Sequence, residues 1–186
     1  KGLPVELHVF DGGYCGLTAV ETGDVNACML VDQRFVKALG DTSWASIMAA
    51  AGRANPSLGA RLAGLAPADD VVHAVAQVTF DFKDRGSHLR LFVGDAAGMI
   101  APLAGDGQAM ALEGAVRLAR LIGDTLTRTG PAPDAESRTQ LANAWHAVWW
   151  RTFGGRMRLA RALQPVLLSP RYAEPVARAV AAVPGA

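Results

Sequence analysis

Residues 91–114 read LFVGDAAGMIAPLAGDGQAMALEG, and this stretch decides how the rest of the chain is interpreted. The apolar run 91–93, ended by Gly94, is typical of the end of a buried strand. Asp95 follows at once, so a carboxylate is expected at the carboxyl edge of a sheet. Open α/β sheets bind their ligands at that edge, and Asp95 is therefore the first candidate binding residue.

The same stretch continues with small residues and the start of a helix. Residues 96–98 have almost no side chain, so a ligand could lie directly against their backbone. Asp106 is expected to cap a long helix that begins near Gly107. The N–H groups at a helix start carry partial positive charge and suit an electron-rich ligand atom. A carboxylate for a hydroxyl, together with backbone donors for an acceptor, suits a ribityl chain that leads to a flavin ring.

The stretch resembles the second flavin-binding motif of FAD-dependent monooxygenases and geranylgeranyl-reductase-like oxidoreductases, the superfamily of para-hydroxybenzoate hydroxylase. That motif reads roughly G-D-A-A-(G/H)-x-x-x-P-x-x-G-x-G-x-x-x-A, and the chain meets every fixed position. The resemblance implies that Asp95 binds the ribitol and that N–H groups near Gly107 and Gln108 face the pyrimidine edge of the flavin. The cofactor-binding residues that it implies are Gly94, Asp95, Ala96, Gly98, Pro102, Gly105, Gly107 and Gln108. A glycine-rich turn without a ligand is the alternative.

Composition, charge and cysteine spacing argue against several classes of protein function for this chain. The chain has 186 residues, of which 51% are hydrophobic, so a substantial core is expected. A net charge of +1 argues against a nucleic-acid partner. Cys15 and Cys28 have neither C-x-x-C nor metal-ligand spacing, so no metal site is predicted, and free thiols in a reducing cytoplasm are expected. The sequence has no apolar run that could cross a bilayer and no signal peptide, so a cytoplasmic protein without a transmembrane segment is predicted.

The superfamily resemblance leads us to expect a fragment. The sequence begins at Lys1 and contains no strand followed by G-x-G-x-x-G, the loop that holds the pyrophosphate of FAD. In the superfamily that fingerprint lies at the amino terminus. The chain is therefore interpreted as the carboxyl-terminal portion of a longer flavoprotein, inactive by itself.

The predicted fold class is mixed, α+β with α/β features, over three regions. Residues 1–76 are expected to form part of a substrate-binding domain, with an antiparallel meander and a helical insertion over 33–65. Residues 77–128 would supply the returning strand and long helix of an FAD-binding domain, and residues 129–186 a carboxyl-terminal helical region. Strand composition over 71–82 predicts a further strand that leads back toward the flavin loop.

The meander is also the predicted substrate surface. Its strands are expected at 5–10, 14–20 and 25–31, separated by turn-forming residues. In reductase-like members of the superfamily this sheet covers the flavin ring and lines the substrate pocket. The resemblance therefore makes Tyr14 and Cys15 candidate pocket residues. The alternatives are cross-strand packing for Tyr14 and a small buried hydrophobe for Cys15.

Several helices are predicted in the second half of the chain. The helix from Gly107 is apolar on most sides and is expected to be largely buried, with an exposed Glu113–Arg117 ion pair. After residue 134 a helix with a tryptophan cluster is expected to end at the two glycines 154–155, and a second helix to run over 156–168. That second helix is expected to pack on the FAD domain with its arginines in water. Peripheral contact with a membrane surface is the alternative.

The resulting expectation is an FAD-dependent oxidoreductase that acts on a hydrophobic or aromatic small molecule. The reaction would be alkene reduction or hydroxylation, with NAD(P)H as an electron donor to the intact enzyme. No catalytic residue is assigned. An imidazole titrates near neutral pH, but His73 has no visible partner at short spacing, so a structural or surface role is expected for it and likewise for His8, His88 and His146. The alternative is a non-enzymatic binding or oligomerising module that no longer holds FAD, since exposed sheet edges and an apolar helix favour homo-oligomers.

Overall fold

The computed structural model describes residues 5–68, 71–80, 86–87 and 90–169, together with residues 172, 175 and 178. These residues combine an antiparallel sheet with helices, so the mixed α+β class is confirmed. The chain divides into two compact units, residues 1–74 with 165–186, and residues 75–164. The sequence also predicts a final short helix over 172–183, most of which lies outside the described residues.

The first unit contains the predicted antiparallel meander. Strands β1 (Val5–Phe10), β2 (Gly13–Ala19) and β3 (Val25–Val31) pair in chain order. The β1–β2 turn contains Gly12 at φ +97°, a left-handed conformation that favours glycine. A Cβ at Gly12 would also lie 2.9 Å from the Phe35 side chain. Both the backbone conformation and this close contact therefore favour glycine at position 12.

Three helices follow the meander. Helices α1 (Gln33–Leu39), α2 (Trp44–Ala54) and α3 (Pro56–Leu62) all lie within the predicted helical insertion over 33–65. The dipeptide Asn55–Pro56 also predicts a break, and the structure confirms it between α2 and α3. Ser43 caps α2, because its hydroxyl accepts from the Ser46 N–H. Asn55 caps α3 through its side-chain oxygen and donates its amide to the Val9 carbonyl at 2.9 Å. Asn55 thus ends α2 with its backbone N–H, which donates to the Ala51 carbonyl, while its side chain caps α3 and donates to β1.

One face of the meander packs against these helices. Because strand side chains alternate, one sheet face receives Phe10, Cys15 and Leu17, which are all buried. They form a core with Ala51 of α2 and Leu58 of α3. The register of the sheet is therefore fixed by the burial of this face.

The crossing of α2 and α3 depends on two glycines in close contact. A Cβ at Gly59 would lie 2.7 Å from the backbone oxygen of Gly52, which cannot move as a flexible side chain could. We expect Gly59→Ala to lower the free energy of unfolding by about 1–3 kcal/mol, because the helices must separate. Urea denaturation measures this loss. Gly64→Ala is the matched control, since nothing lies within 4 Å of its Cβ position, and an effect equal to that of Gly59→Ala would contradict the account.

The second unit begins with irregular chain. The strand predicted over 71–82 is wrong for its described part, because residues 71–80 form no strand, and residues 81–82 lie outside the described residues. Val71, Val72 and Val75 are exposed (Val75 by 82%), whereas Val78 and Phe80 are half-buried. Strand-forming composition alone does not determine strand pairing. Two short strands follow, β4 (Gly86–Ser87) and β5 (Arg90–Leu91), in an antiparallel pair. Of the apolar run 91–93, only Leu91 belongs to a paired strand.

Two long helices complete the second unit. Helix α4 (Gly107–Thr129) begins where the sequence predicted. Helix α5 (Ala135–Leu167) is continuous, so the predicted end at residues 154–155 is wrong. Gly154 is buried against the Trp150 ring, and packing of this kind outweighs the helix-breaking tendency of glycine. Pro165 lies inside α5 as well.

The core of the second unit is aromatic. The predicted packing of the tryptophan cluster is confirmed, because Trp145, Trp149 and Phe153 of α5 are at most 2% exposed. They pack with Met110 and Leu118 of α4. The Trp149 and Phe153 rings meet edge to face, with centroids 5.5 Å apart.

Helix α4 is less buried than its composition predicted. Its inner face is buried at Met110, Gly114 and Leu118, but Leu112 is 72% exposed and Val116 is 52% exposed. The expectation of a largely buried helix is therefore wrong for the outer face. The predicted Glu113–Arg117 ion pair is confirmed at 2.6 Å.

Candidate functional site

The strand end that precedes Asp95 is held by a tryptophan from α5. The Trp145 ring N–H donates to the carbonyl of Phe92 at 3.0 Å. Phe92 and Val93 are half-buried and pack against the aromatic core. A residue 53 positions further along the chain therefore fixes the direction in which the backbone reaches Gly94.

Gly94 and Asp95 form the turn that follows. Gly94 has φ +57°, and a Cβ there would lie 3.2 Å from the Cβ of Ala111 on α4. Both observations favour glycine at this position. Residues 94–96 make one 3₁₀ turn, closed by a bond from the Ala97 N–H to the Gly94 carbonyl. The Asp95 side chain is exposed, and no described residue donates a hydrogen bond to it.

The next part of the loop faces the core. Ala97, Gly98, Ile100 and Ala101 are all buried. A Cβ at Gly98 would lie 2.8 Å from the Trp149 ring, so this glycine admits a tryptophan of the same chain. Of the cofactor residues implied by the motif, Gly98 thus packs inward and does not share the exposed surface of Asp95.

The loop returns to the surface before α4. Pro102 is exposed and opens a second 3₁₀ turn, which Gly105 ends at φ +64°. Asp106 does not cap α4 with its side chain, so that prediction is wrong. Its carboxylate instead accepts from Arg156 of α5 at 3.2 Å. Arg156 also lies 3.5 Å from Glu113, and no spacing in the sequence indicated this pairing.

The start of α4 is therefore left without a side-chain cap. Backbone N–H groups in the first turn of a helix have no partner within the helix, and here Asp106 is drawn away from them. Gln108, in the same turn, is exposed. The turn that carries Asp95 packs against this helix through Gly94 and Ala111. Asp95 is thus exposed in a turn that packs on α4, and the first turn of that helix has no side-chain cap.

This turn and the helix start fit part of the flavin group that the motif implies. A carboxylate can accept from a ribityl hydroxyl, and helix-start N–H groups can donate to a ring oxygen or nitrogen. The residues of the motif that are exposed and could make such contacts are Asp95, Ala96, Pro102, Gly105 and Gln108. Gly94 and Gly98 are instead explained by close packing against Ala111 and Trp149, whereas a Cβ at Gly107 would make only an ordinary contact, 3.9 Å from Ile100.

The two predicted pocket residues of the meander lie on opposite faces of the sheet. They are neighbours in β2, and side chains alternate along a strand. Cys15 belongs to the core of the first unit and is fully buried. Tyr14 is 8% exposed and lies on the other face. The structure therefore does not bring these two side chains together in one pocket.

The cysteines should differ sharply in reactivity. Burial, with a smaller effect of nearby Cys28, raises the pKa of the Cys15 thiol to about 11, whereas Cys28 is exposed. Only the thiolate is nucleophilic, so a disulfide-forming thiol reagent at pH 8 should modify Cys28 alone in the folded protein. In denaturant both thiols should react. Rapid modification of two thiols in the native state, or of one in a Cys28→Ser variant, would contradict this placement.

The histidines provide one local cluster. His8 Nε2 lies 3.2 Å from the Glu6 carboxylate, which Arg61 binds through two nitrogens. The hydrogen bond from Arg61 holds the pKa of Glu6 below its usual range. His73 and His146 are exposed, and His88 lies outside the described residues. The cluster joins β1 to α3.

A metal-binding cluster and a membrane-spanning helix are both absent from the described part of the chain. No group of three or more His, Cys, Asp or Glu side chains there could hold a metal ion. No helix in these ranges has the length and apolarity needed to span a bilayer. Comparison with known proteins found no matching family model, no similar curated protein and no similar solved structure.

Proposed function

We propose that this chain forms the ribityl- and ring-binding portion of an FAD-dependent oxidoreductase. The observation that carries the proposal is the exposed carboxylate of Asp95, one residue after a left-handed glycine that packs on α4. The uncapped start of α4 supports it. The complete motif from Gly94 to Ala111 supports it independently.

Each residue of the proposed site has a binding role. Asp95 accepts a hydrogen bond from a ribityl hydroxyl, which its charge strengthens. Gly105 and Gly107 leave the backbone N–H groups of the loop and helix start open to an acceptor atom of the ring. Arg156 holds Asp106 away from those groups. When bound, a flavin supplies hydride transfer or oxygen activation, the two chemistries consistent with this proposal.

The proposed substrate is a hydrophobic or aromatic small molecule, with NAD(P)H as the electron donor of the intact enzyme. Alkene reduction and hydroxylation remain equal within this proposal, because both depend on the shape of a substrate pocket. The chain by itself is proposed to bind the flavin and not to turn over a substrate.

Riboflavin tests the proposed site apart from any pyrophosphate loop, because it carries the ring and ribityl chain without the ADP part of FAD. We expect titration with the protein to quench riboflavin fluorescence to saturation. FMN should compete with riboflavin, whereas ADP should not. Absence of saturable binding would contradict the proposal, and displacement by ADP would place the binding at a different kind of site.

A second candidate is an oligomerising module without a flavin. The observation in its favour is the outer face of α4, where Leu112 and Val116 are 72% and 52% exposed. Apolar exposure of this kind is typical of an interface between proteins. Sedimentation velocity distinguishes the two: this module predicts a dimer or larger that Leu112→Glu dissociates, together with no riboflavin binding.

A further inference from the structure

Helix α5 carries a second apolar stripe that faces solvent. Its packed stripe includes Met157 and Ala160, which contact the aromatic core. Leu159 is 60% exposed and Leu163 is 43% exposed, and four residues separate them, so they lie on one face of the helix. Ala162 extends the same exposed face. Helix α5 therefore has apolar residues on two faces, one packed against the core and one exposed to solvent.

Arginines border the exposed stripe. Arg151 and Arg158 are seven residues apart, so they lie on the same side of it, and both are exposed. Neither forms an ion pair with any residue that the structure describes. Arg156 lies on the other side of the stripe, where Asp106 and Glu113 neutralise it. Arg151 and Arg158 thus lie beside exposed leucines, and no residue in the described part of the chain forms an ion pair with either.

The positive charge of residues 137–169 favours an anionic partner for the exposed stripe. Residues 137–169 contain five arginines and neither aspartate nor glutamate, although the net charge of the whole chain is only +1. A second copy docked on this face would bring like charges together, which costs free energy. An anionic surface would instead neutralise the arginines while the leucines leave water. The exposed stripe of α4 differs in that an acidic residue, Glu113, lies beside it together with Arg117 and Arg120.

We propose that the face of α5 formed by Leu159 and Leu163, with Arg151 and Arg158 beside it, docks on an anionic lipid surface. The helix lies along the interface, with the leucines at the level where headgroups meet acyl chains. The guanidinium groups reach the lipid phosphates and bind them through paired hydrogen bonds. This contact is independent of the flavin site and stands or falls separately from it.

Co-sedimentation of the full chain with vesicles tests the proposal. The protein should bind vesicles of phosphatidylcholine mixed with phosphatidylglycerol, bind vesicles of phosphatidylcholine alone far more weakly, and leave the anionic vesicles at high salt. Arg151→Gln with Arg158→Gln should weaken binding about 25-fold, from about fivefold for each arginine near the surface. Leu159→Glu with Leu163→Glu should weaken it at least as much. Circular dichroism of each variant shows that α5 remains folded.

Leu126→Glu is the matched control, because it places the same charge on a leucine of α4 that is 40% exposed, close to the 43% of Leu163. It should change vesicle binding less than twofold. Failure of the wild-type protein to bind anionic vesicles would overturn the proposal, as would equal loss of binding in the Leu126→Glu control. A dimer that only the α5 leucine variants dissociate, without vesicle binding, would assign this face to a second copy and overturn it as well.

Discussion

Trp145→Ala should lower the free energy of unfolding by about 3–5 kcal/mol, the largest stability effect expected in the second unit. The side chain is fully buried among Met110, Leu118 and Trp149, so its removal leaves a cavity. It also leaves the carbonyl of Phe92 without its 3.0 Å donor. The strand end that precedes Asp95 would thus lose its anchor together with the core.

Chemical denaturation followed by circular dichroism measures this loss. Trp145→Phe keeps most of the volume and removes the hydrogen bond, so it should cost less than the alanine variant. Leu159→Ala is the control on the same helix, because that side chain is 60% exposed and should cost little. Equal effects of Trp145→Ala and Leu159→Ala would show that the aromatic core is not where the structure places it.

Asp95→Ala should weaken riboflavin binding by about 10- to 150-fold, because a hydrogen bond to a charged group contributes about 1.5–3 kcal/mol. The stability of the protein should change little, since the side chain is exposed and bonded to no described residue. Fluorescence titration measures the binding and denaturation the stability. This separation of effects identifies Asp95 as a binding residue and not a structural one.

Asp124→Ala provides the matched control for Asp95. It removes an exposed carboxylate from α4, in the same unit but outside the 94–108 loop. Riboflavin affinity should remain within about twofold of the wild-type value. If both variants weaken binding equally, the effect comes from overall charge, and Asp95 has no specific role.

Where the signals are local, the sequence predicted the fold well. Period-two alternation and short glycine turns located the meander, and β3 matches its predicted range Val25–Val31. Ser43 caps α2, as a local signal in the sequence predicts, because the cap needs only neighbouring N–H groups. The start of α4 at Gly107 was also predicted correctly, although the side-chain cap expected from Asp106 is absent.

Where the deciding contacts are distant in sequence, the prediction failed. Gly154 looks like a helix end until its packing against Trp150 is known. Asp106 looks like an N-cap, but Arg156, fifty residues later, takes its carboxylate. Gly98 looks like room for a ligand, yet Trp149 fills that space. In each case the prediction gave the residue its most common local role, whereas the structure shows that a tertiary contact decides its position.

The candidate site was predictable in part for the same reason. The turns that contain Asp95 and Gly105 could be predicted from the sequence, because turn geometry is local, whereas the binding role of Asp95 stays a prediction. Which loop residues face solvent could not, since that depends on the tryptophans of α5. Alternation along β2 could have separated Tyr14 from Cys15, because neighbouring residues of a strand point to opposite faces.

The most direct test of the proposed flavin site is an amide chemical-shift map of the protein titrated with riboflavin. We predict that the largest changes fall on Asp95, Ala96, Gly105, Gly107 and Gln108, while the meander residues 5–31 and the buried Gly98 change little. Changes that cluster on the meander, that spread evenly over the chain, or that fail to appear at saturating riboflavin would contradict the assignment of this loop to a flavin.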